Sequence, residues 1–202
     1  MKKLFSLLVV SAILLSTTSS FAYATDVQDE PTKSSYTIEF EDSTLDGATI
    51  LSEETTIEDG RLITVTRYMT KDGLLVIDTF ERSAVSLLSD NGTDSATRTR
   101  DLGRYGKVTV TGNFQWYTDK SAGIPGIGVA YVRCTSMSAS HTVPAGYTRD
   151  VWEKKYESKY QAFGTAYAQV SYKIYETKAP VYEISGTVRI TCSDSGSISD
   201  NA

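Results

Sequence analysis

One histidine, two cysteines and 25 acidic residues are the groups through which this chain could carry out chemistry. His141 lies among Ser136, Ser138 and Ser140, an arrangement that raises the question of a serine hydrolase. Such an enzyme needs its nucleophile exposed on a tight turn, and the Gly-x-Ser-x-Gly pattern that marks this turn is absent. We therefore predict no catalytic residue, no metal site and no cofactor.

Paired carboxylates are a second route to catalysis, because two of them flanking a glycosidic bond can hydrolyse it. Most acidic residues of this chain fall in polar segments, such as 26–30 and 52–59, that are typical of a solvated surface. A hydrolase of extracellular polysaccharide is therefore the alternative function. It predicts two inward-facing carboxylates in a groove.

Residues 42–53 read DSTLDGATILSE and match the calcium loop of an EF-hand at its first, fifth, sixth and twelfth positions. Thr44 stands at the third position, where the motif needs Asp or Asn. The flanking residues are typical of strands, whereas an EF-hand loop lies between helices. We predict an Asp-Gly turn between strands here, with no metal bound.

Cys134 and Cys192 form an even pair, which in an exported chain favours a disulfide. Cys134 shares the parity of Ala130 and Val132, and Cys192 lies on the apolar side of its own strand-like segment. Both side chains are therefore expected to point into the core, and we predict a disulfide between them.

Aromatic residues supply the signal for binding. Within residues 160–175, strict alternation puts Phe163, Tyr167 and Tyr175 on the polar side of a predicted strand. Amphipathic rings with few rotatable bonds suit recognition of sugars and protein surfaces. We predict that these three residues form an exposed aromatic strip, with cross-strand stabilisation of the sheet as the alternative role for such tyrosines.

The first 24 residues indicate where these groups would act. They read MKKLFSLLVVSAILLSTTSSFAYA, with a basic start, an apolar run and a small-residue end, the order typical of a secretory signal peptide. We expect cleavage after Ala24 and a secreted, extracellular product. Beyond this segment no stretch reaches about 18 consecutive apolar residues, so no integral membrane segment is predicted.

The charge of the chain bears on its partners. The formal net charge is −5, and loss of Lys2 and Lys3 with the signal peptide makes it more negative. The remaining basic residues are scattered along the chain. Since phosphate binding depends on clustered lysine and arginine, we predict no nucleic-acid partner.

Composition divides the rest of the chain into four segments. Residues 25–35 are polar and are predicted to form a mobile arm. Residues 36–88 hold short runs of β-favouring residues and a predicted hairpin with an Asp-Gly turn. Residues 89–103 contain almost no apolar side chain and are predicted to be a linker or long loop. Residues 104–202 hold four long alternating segments and are predicted to form the main β domain.

These long segments indicate the fold. Each alternates apolar and polar residues as a half-buried strand does, and three carry a glycine on the apolar side, at Gly112, Gly164 and Gly186. We infer that the glycines leave room for large rings, for which Trp116, Phe114 and Tyr182 are the candidates. This predicts an all-β antiparallel sandwich. The alternative is a curved β-barrel, in which glycines let the strands bend.

The C-terminal half, with the segments GTAYAQVSYKIYE and SGTVRITC, resembles small secreted β-rich proteins of Gram-positive bacteria with no assigned function. The resemblance covers about the last half of the chain and lies in its strand pattern. It implies a bacterial, extracellular origin and transfers no site residue.

Together these observations predict a secreted, non-catalytic binding or interaction module whose partner is an extracellular glycan or protein. The polysaccharide hydrolase is the alternative. A pore-forming β protein is a third possibility, suggested by long alternating strands rich in serine and threonine.

Overall fold

The computed structural model describes residues 44–84, 90–122, 128–178 and 182–200. Within them the chain forms eleven strands and one short 3₁₀ helix, Gly103–Tyr105. The strands are β1 (Thr49–Glu58), β2 (Arg61–Met69), β3 (Leu75–Ser83), β4 (Asn91–Asp101), β5 (Lys107–Asp119), β6 (Val129–Thr142), β7 (Tyr147–Tyr156), β8 (Gln161–Ala162), β9 (Thr165–Glu176), β10 (Glu183–Ser193) and β11 (Ile198–Ser199). The predicted signal peptide and mobile arm lie outside the described residues.

The strands form two antiparallel sheets, which confirms the all-β antiparallel prediction. The long sheet has the order β1-β2-β3-β4-β5-β6-β8, and the short sheet has the order β11-β10-β9-β7. Neither sheet closes on itself within the described residues, so the barrel alternative is wrong.

The hairpin predicted in the first half of the chain is confirmed. β2 and β3 pair over their whole length, with Met69 opposite Leu75 at the turn. Gly73 in this turn has a φ of 75°, a conformation that glycine adopts without strain. The Asp-Gly signal and the β-branched residues on both arms were sufficient to specify this element.

The predicted linker at residues 89–103 is wrong, because most of it forms β4. This strand pairs with β3 on one side and with β5 on the other. It resembles a loop in sequence because its outward side chains are mostly hydroxyls and its inward side chains include Arg98 and Arg100. Since β4 joins β3 to β5, the hairpin region and the later strands share one sheet.

The core lies where the short sheet packs against β4, β5 and β6. Its inward side chains are mostly valine, isoleucine and aromatic residues with almost no exposure, each of which stabilises the fold by about 1.5–3 kcal/mol when buried. β1 and β2 extend beyond this cover, and on β1 Ile57 remains 68% exposed. Burial is therefore greatest where the two sheets face each other and lowest on β1.

The predicted role of the glycines is correct at one position and wrong at another. Gly112 is buried, and an added Cβ there would lie 2.8 Å from the Phe114 ring and 2.9 Å from the Cβ of Ala168 on the short sheet. Gly186 is also buried in its strand. Gly164, however, lies in the turn before β9, because the chain crosses there from the long sheet to the short sheet.

Trp116 occupies space left by glycines that the alternation of strands does not reveal. Its indole ring lies over Gly92, its cross-strand partner on β4, and over Gly196 in the turn between β10 and β11. A Cβ at Gly92 would come within 2.5 Å of the ring. Trp116 therefore meets small residues, as we infer from the sequence, but Gly196 reaches it through tertiary structure alone. The inference is wrong for Tyr182, which is 50% exposed because it lies just before β10 and outside the core.

Candidate functional site

The three residues of the predicted aromatic strip come from β9 and from the turn before it. Tyr167 and Tyr175 both lie on β9, but their eight-residue spacing corresponds to about 26 Å along a strand. Phe163 lies in the turn between β8 and β9, where it is 67% exposed. The guanidinium of Arg189 covers the Tyr167 ring, with its centre 4.6 Å from the ring centroid. Tyr167 and Tyr175 are therefore too far apart for their rings to touch, and a binding role for the three residues stays a prediction.

Three other tyrosines meet on the outer face of the long sheet, and we call Tyr117, Tyr131 and Tyr160 the tyrosine block. Tyr117 in β5 is paired with Tyr131 in β6, and their rings stack with centroids 5.1 Å apart. Tyr160, just before β8, meets Tyr117 edge to face at 5.0 Å. All three residues are half-buried, so the block is rigid and still reaches solvent.

Two polar side chains hold Tyr160 of the tyrosine block in place. Tyr160 donates its hydroxyl hydrogen to Oε1 of Gln115 at 3.0 Å, and Arg133 donates to the same oxygen from Nη2 at 2.8 Å and Nε at 3.2 Å. The Arg133 guanidinium also lies 4.4 Å from the centre of the Tyr160 ring, close enough for a cation–π interaction. These contacts fix the side chains before any ligand arrives.

Tyr117 remains uncharged at neutral pH. Burial raises the pKa of its hydroxyl above the ordinary value of 10.0, and the neighbouring Tyr131 and Tyr160 raise it further. Tyr117 therefore presents a neutral ring and a hydroxyl group.

The sequence contains part of the signal for this block. Tyr117 and Tyr131 fall on the polar sides of their strands, as parity shows. Alternation over residues 160–175, however, predicts one strand with Tyr160 on its apolar face, and this prediction is wrong. The chain changes sheets after β8, so Tyr160 takes its orientation from the long sheet.

Uncharged hydroxyl side chains continue the outer face beyond the tyrosine block. Two threonine pairs bridge β4 and β5 through hydrogen bonds of 3.0 and 3.1 Å between their hydroxyl groups. β6 places Ser140 opposite Thr109 and Ser138 opposite Thr111. We call this set the hydroxyl rows: Thr97, Thr99, Thr109, Thr111, Ser138 and Ser140.

The predicted disulfide between Cys134 and Cys192 is absent from the structure. Both side chains are buried and inward, as parity predicts, but both thiols are free. Cys134 donates to the carbonyl oxygen of Ser136 at 3.2 Å, and Cys192 donates to that of Ser193 at 3.4 Å. Parity gives the direction in which each side chain points, and it does not establish that a bond forms between two strands of different sheets.

Burial also sets the chemistry of these thiols. It raises the pKa of Cys134 to about 11 and that of Cys192 to about 12. Since the thiolate is the reactive form, neither cysteine suits nucleophilic or redox chemistry at neutral pH.

The hydrolase alternative needs two carboxylates in a groove. The described residues include one fully enclosed carboxylate, Asp78, and both Arg98 and Arg100 donate two hydrogen bonds to it at 2.8–3.3 Å. Burial alone would raise the pKa of Asp78, but the two guanidinium groups outweigh burial and lower it below its ordinary value of 3.8. A general acid for glycoside hydrolysis needs a raised pKa, so Asp78 does not fit that role.

His141 lies near the end of β6 and contacts the core. Its Nε2 is 3.1 Å from the carbonyl oxygen of Tyr105, and its ring stacks on Trp152 with centroids 6.0 Å apart. Burial lowers the pKa of His141, so the neutral ring donates to this carbonyl at neutral pH. Across the described residues, no three His, Cys, Asp or Glu side chains cluster closely enough to hold a metal ion.

No protein-family model, no curated protein and no solved structure matches this chain. Within the described residues, no helix has the length and apolar character needed to cross a membrane.

Proposed function

We propose that this protein is a secreted, non-catalytic β-sandwich module that binds a neutral extracellular polysaccharide through the outer face of its long sheet. The observation that carries the proposal is the tyrosine block, a rigid set of three half-buried rings on a surface that no other described element covers. The expected signal peptide supports an extracellular location.

The ring geometry supports stacking against sugars. A pyranose ring has apolar C–H faces and polar edges, and tyrosine offers an apolar ring with a hydroxyl at its tip. The stacked pair Tyr117 and Tyr131 provides one such surface, and Tyr160 adds a ring at right angles. Because these rings are already held in place, a ligand loses little affinity to ordering them.

The polar surroundings support hydrogen bonds to sugar hydroxyls. Arg133 uses Nε and Nη2 for Gln115, and its Nη1 group remains oriented by the same contacts. The hydroxyl rows extend this surface along β4, β5 and β6 with side chains that both donate and accept. None of the six residues in the rows is charged, which favours a neutral polymer over an anionic one.

The test is a binding assay with the exported chain against pelleted cellulose, chitin and a neutral β-glucan. We expect at least one of these to bind, and Tyr117→Ala combined with Tyr131→Ala to weaken binding by about tenfold or more. Tyr167→Ala is the matched control, because it removes an outer-face tyrosine from the other sheet. Tyr117→Phe should retain binding, since it keeps the stacking ring.

Circular dichroism spectra of each variant separate lost binding from lost folding. The proposal fails if no neutral polysaccharide is retained, or if folded protein with both tyrosines removed binds as well as the parent. It also fails if Tyr167→Ala weakens binding as much as the paired substitution does.

A further inference from the structure

A cavity of about 930 Å³ lies at the opposite end of β5 from the tyrosine block. It is formed by the turn between β2 and β3, the 3₁₀ helix before β5 and the start of β10. We call it the end pocket. Tyr105 lines it at one end of β5 and Tyr117 lies near the other, more than about 30 Å away along the strand. The two regions can therefore be tested separately.

An arginine held between two tyrosine rings dominates the end pocket. The centre of the Arg104 guanidinium lies 5.1 Å from the Tyr105 ring centroid and 5.3 Å from that of Tyr182. Arg104 also donates from Nη2 to the Tyr105 hydroxyl at 3.2 Å. Tyr105 is itself fixed by an edge-to-face contact with Tyr147 at 5.2 Å. The rings orient the guanidinium while leaving most of its donors available to a ligand.

The remaining lining is apolar on one side and acidic on the other. Leu74 and Ile184 provide the apolar surface, and the Tyr182 ring beside them is 50% exposed. Glu183 is paired with Lys173 at 2.9 Å, so its charge is largely neutralised. Asp72 lies in the turn of the β2–β3 hairpin and is exposed.

We propose that the end pocket binds the free carboxyl terminus of a peptide whose last side chain is apolar. Arg104 would take the carboxylate through two parallel hydrogen bonds, the geometry that guanidinium and carboxylate groups favour. The apolar side chain would pack on Leu74, Ile184 and the exposed Tyr182 ring. Asp72 would accept a hydrogen bond from a backbone N–H of the peptide.

The charges of the pocket favour this ligand over other anions. A phosphate group carries close to two negative charges, so Asp72 in the lining would repel it more strongly than it repels a singly charged carboxylate. A carboxylate carries one charge, which Arg104 balances. An acidic sugar has the same carboxylate but presents hydroxyls to the apolar surface of Leu74 and Ile184, which cannot hydrogen-bond to them.

The experiment is a calorimetric titration of the exported chain with acetyl-Ala-Ala-Leu as the free acid, with its C-terminal amide, and with glucuronate. We expect the free acid to bind, and both the amide and Arg104→Gln to weaken binding by about tenfold or more, because a charge-assisted pair is lost. Tyr182→Ala should weaken it as well. Arg61→Gln is the control, since it removes a partly exposed arginine at the far end of β2.

Arg104→Lys keeps the charge but loses the planar fork, so an intermediate affinity is expected. Equal binding of the acid and the amide overturns the proposal, as does no saturation with either peptide. Glucuronate binding as tightly as the peptide acid overturns the peptide assignment. The variant without Tyr117 and Tyr131 side chains should bind the peptide normally; if it does not, the two regions are not independent and the proposal fails.

Discussion

The core between the two sheets has an apolar half and a charged half. On β5 the inner face carries Val108, Val110 and Phe114, whereas on β3 and β4 it carries Asp78 and Arg100 with Arg98 beside them. Both halves exclude solvent equally, because Val110 and Arg100 are each 0% exposed. They differ in what stabilises them: the apolar half depends on removal of surface from water, and the charged half depends on hydrogen-bond geometry.

The charged half connects the two sheets through backbone groups. Arg98 donates from Nη1 to the carbonyl oxygens of Arg189 at 3.0 Å and Asp200 at 2.6 Å, and Arg100 donates from Nη1 to that of Thr187 at 3.2 Å. β11 is two residues long and pairs with β10 at Thr191 and Cys192. Arginine side chains therefore satisfy carbonyl groups earlier in β10, where β11 does not extend. The comparison shows that arginine side chains can satisfy backbone carbonyl groups at a strand edge where no neighbouring strand is present.

The largest effect is expected from Asp78→Ala. This change leaves Arg98 and Arg100 buried without the carboxylate to which both donate, and removal of one partner from a buried ionic group costs about 3–5 kcal/mol of unfolding free energy. Urea denaturation followed by tryptophan fluorescence measures the loss. Glu81→Ala on the same strand is the control, because its exposed ion pair with Arg61 contributes less than about 1 kcal/mol. A similar loss of unfolding free energy in both variants would contradict the claim that the buried ion pairs of Asp78 stabilise the charged half.

A smaller effect is expected in the apolar half from Gly112→Ala. The new Cβ would press on the Phe114 ring and on Ala168, and overpacking of this kind costs about 1–3 kcal/mol. The reduced entropy of the unfolded chain returns about 0.4–1 kcal/mol, so destabilisation prevails. Ser138→Ala on the outer face is the control. A Gly112→Ala protein as stable as the parent in thermal unfolding would show that the sheets do not approach closely at this point.

Ile190→Val should have a still smaller effect, because it removes one buried methylene group. The expected loss is about 0.5–1.5 kcal/mol, measured by urea denaturation. Arg98→Lys is the matched change in the charged half. It is also conservative, but it removes the paired hydrogen bonds to Asp78 that only a planar guanidinium can make. The Arg98→Lys loss should exceed that of Ile190→Val. The reverse order would mean that charge alone, without geometry, stabilises the charged half.

The smallest effect on the free energy of unfolding is expected from a change of pH between 5 and 8. Outside this range, acid weakens the charged half and alkali weakens the apolar half. Asp78 has a lowered pKa in the folded state, so its contribution is present above about pH 4 and is lost as the pH falls through the folded value. The thiols have raised pKa values, about 11 for Cys134 and about 12 for Cys192. Their contribution is complete below the ordinary value of 9.0 and is lost as the pH rises through these folded values.

Urea midpoints between pH 3 and pH 12 test both limbs of this pH dependence. Replacing both cysteines by alanine should flatten the alkaline decline and leave the acid decline unchanged. An alkaline decline as steep as that of the parent would show that the thiols do not cause it.

The two halves of the core differ in how well the sequence predicts them. The apolar half, with Val110, Phe114 and Ile190 on alternating positions, follows from parity, as does the hairpin of β2 and β3. The charged half did not, because Arg98 and Arg100 on β4 resemble solvated residues until Asp78 is placed beside them. Hydrophobic periodicity detects buried positions only where the buried side chains are apolar.

The candidate sites show the same limit. The sequence points to aromatic residues beyond residue 103 and to an exposed face, and the structure has such a face. It does not reveal the tyrosine block, because alternation groups Tyr160 with β9 whereas the chain changes sheets after β8. The end pocket has no linear signal, since Asp72, Arg104 and Tyr182 come from distant parts of the chain.

By itself the sequence determined the all-β class, the inward or outward direction of most side chains and the principal hairpin, because these depend on local propensity and on a two-residue period. Only the tertiary structure decided which strands pair, where the chain changes sheets, and whether Cys134 and Cys192 are bonded to each other. Those outcomes depend on register and on distances between sheets, which arise from packing of the whole chain and have no local signature.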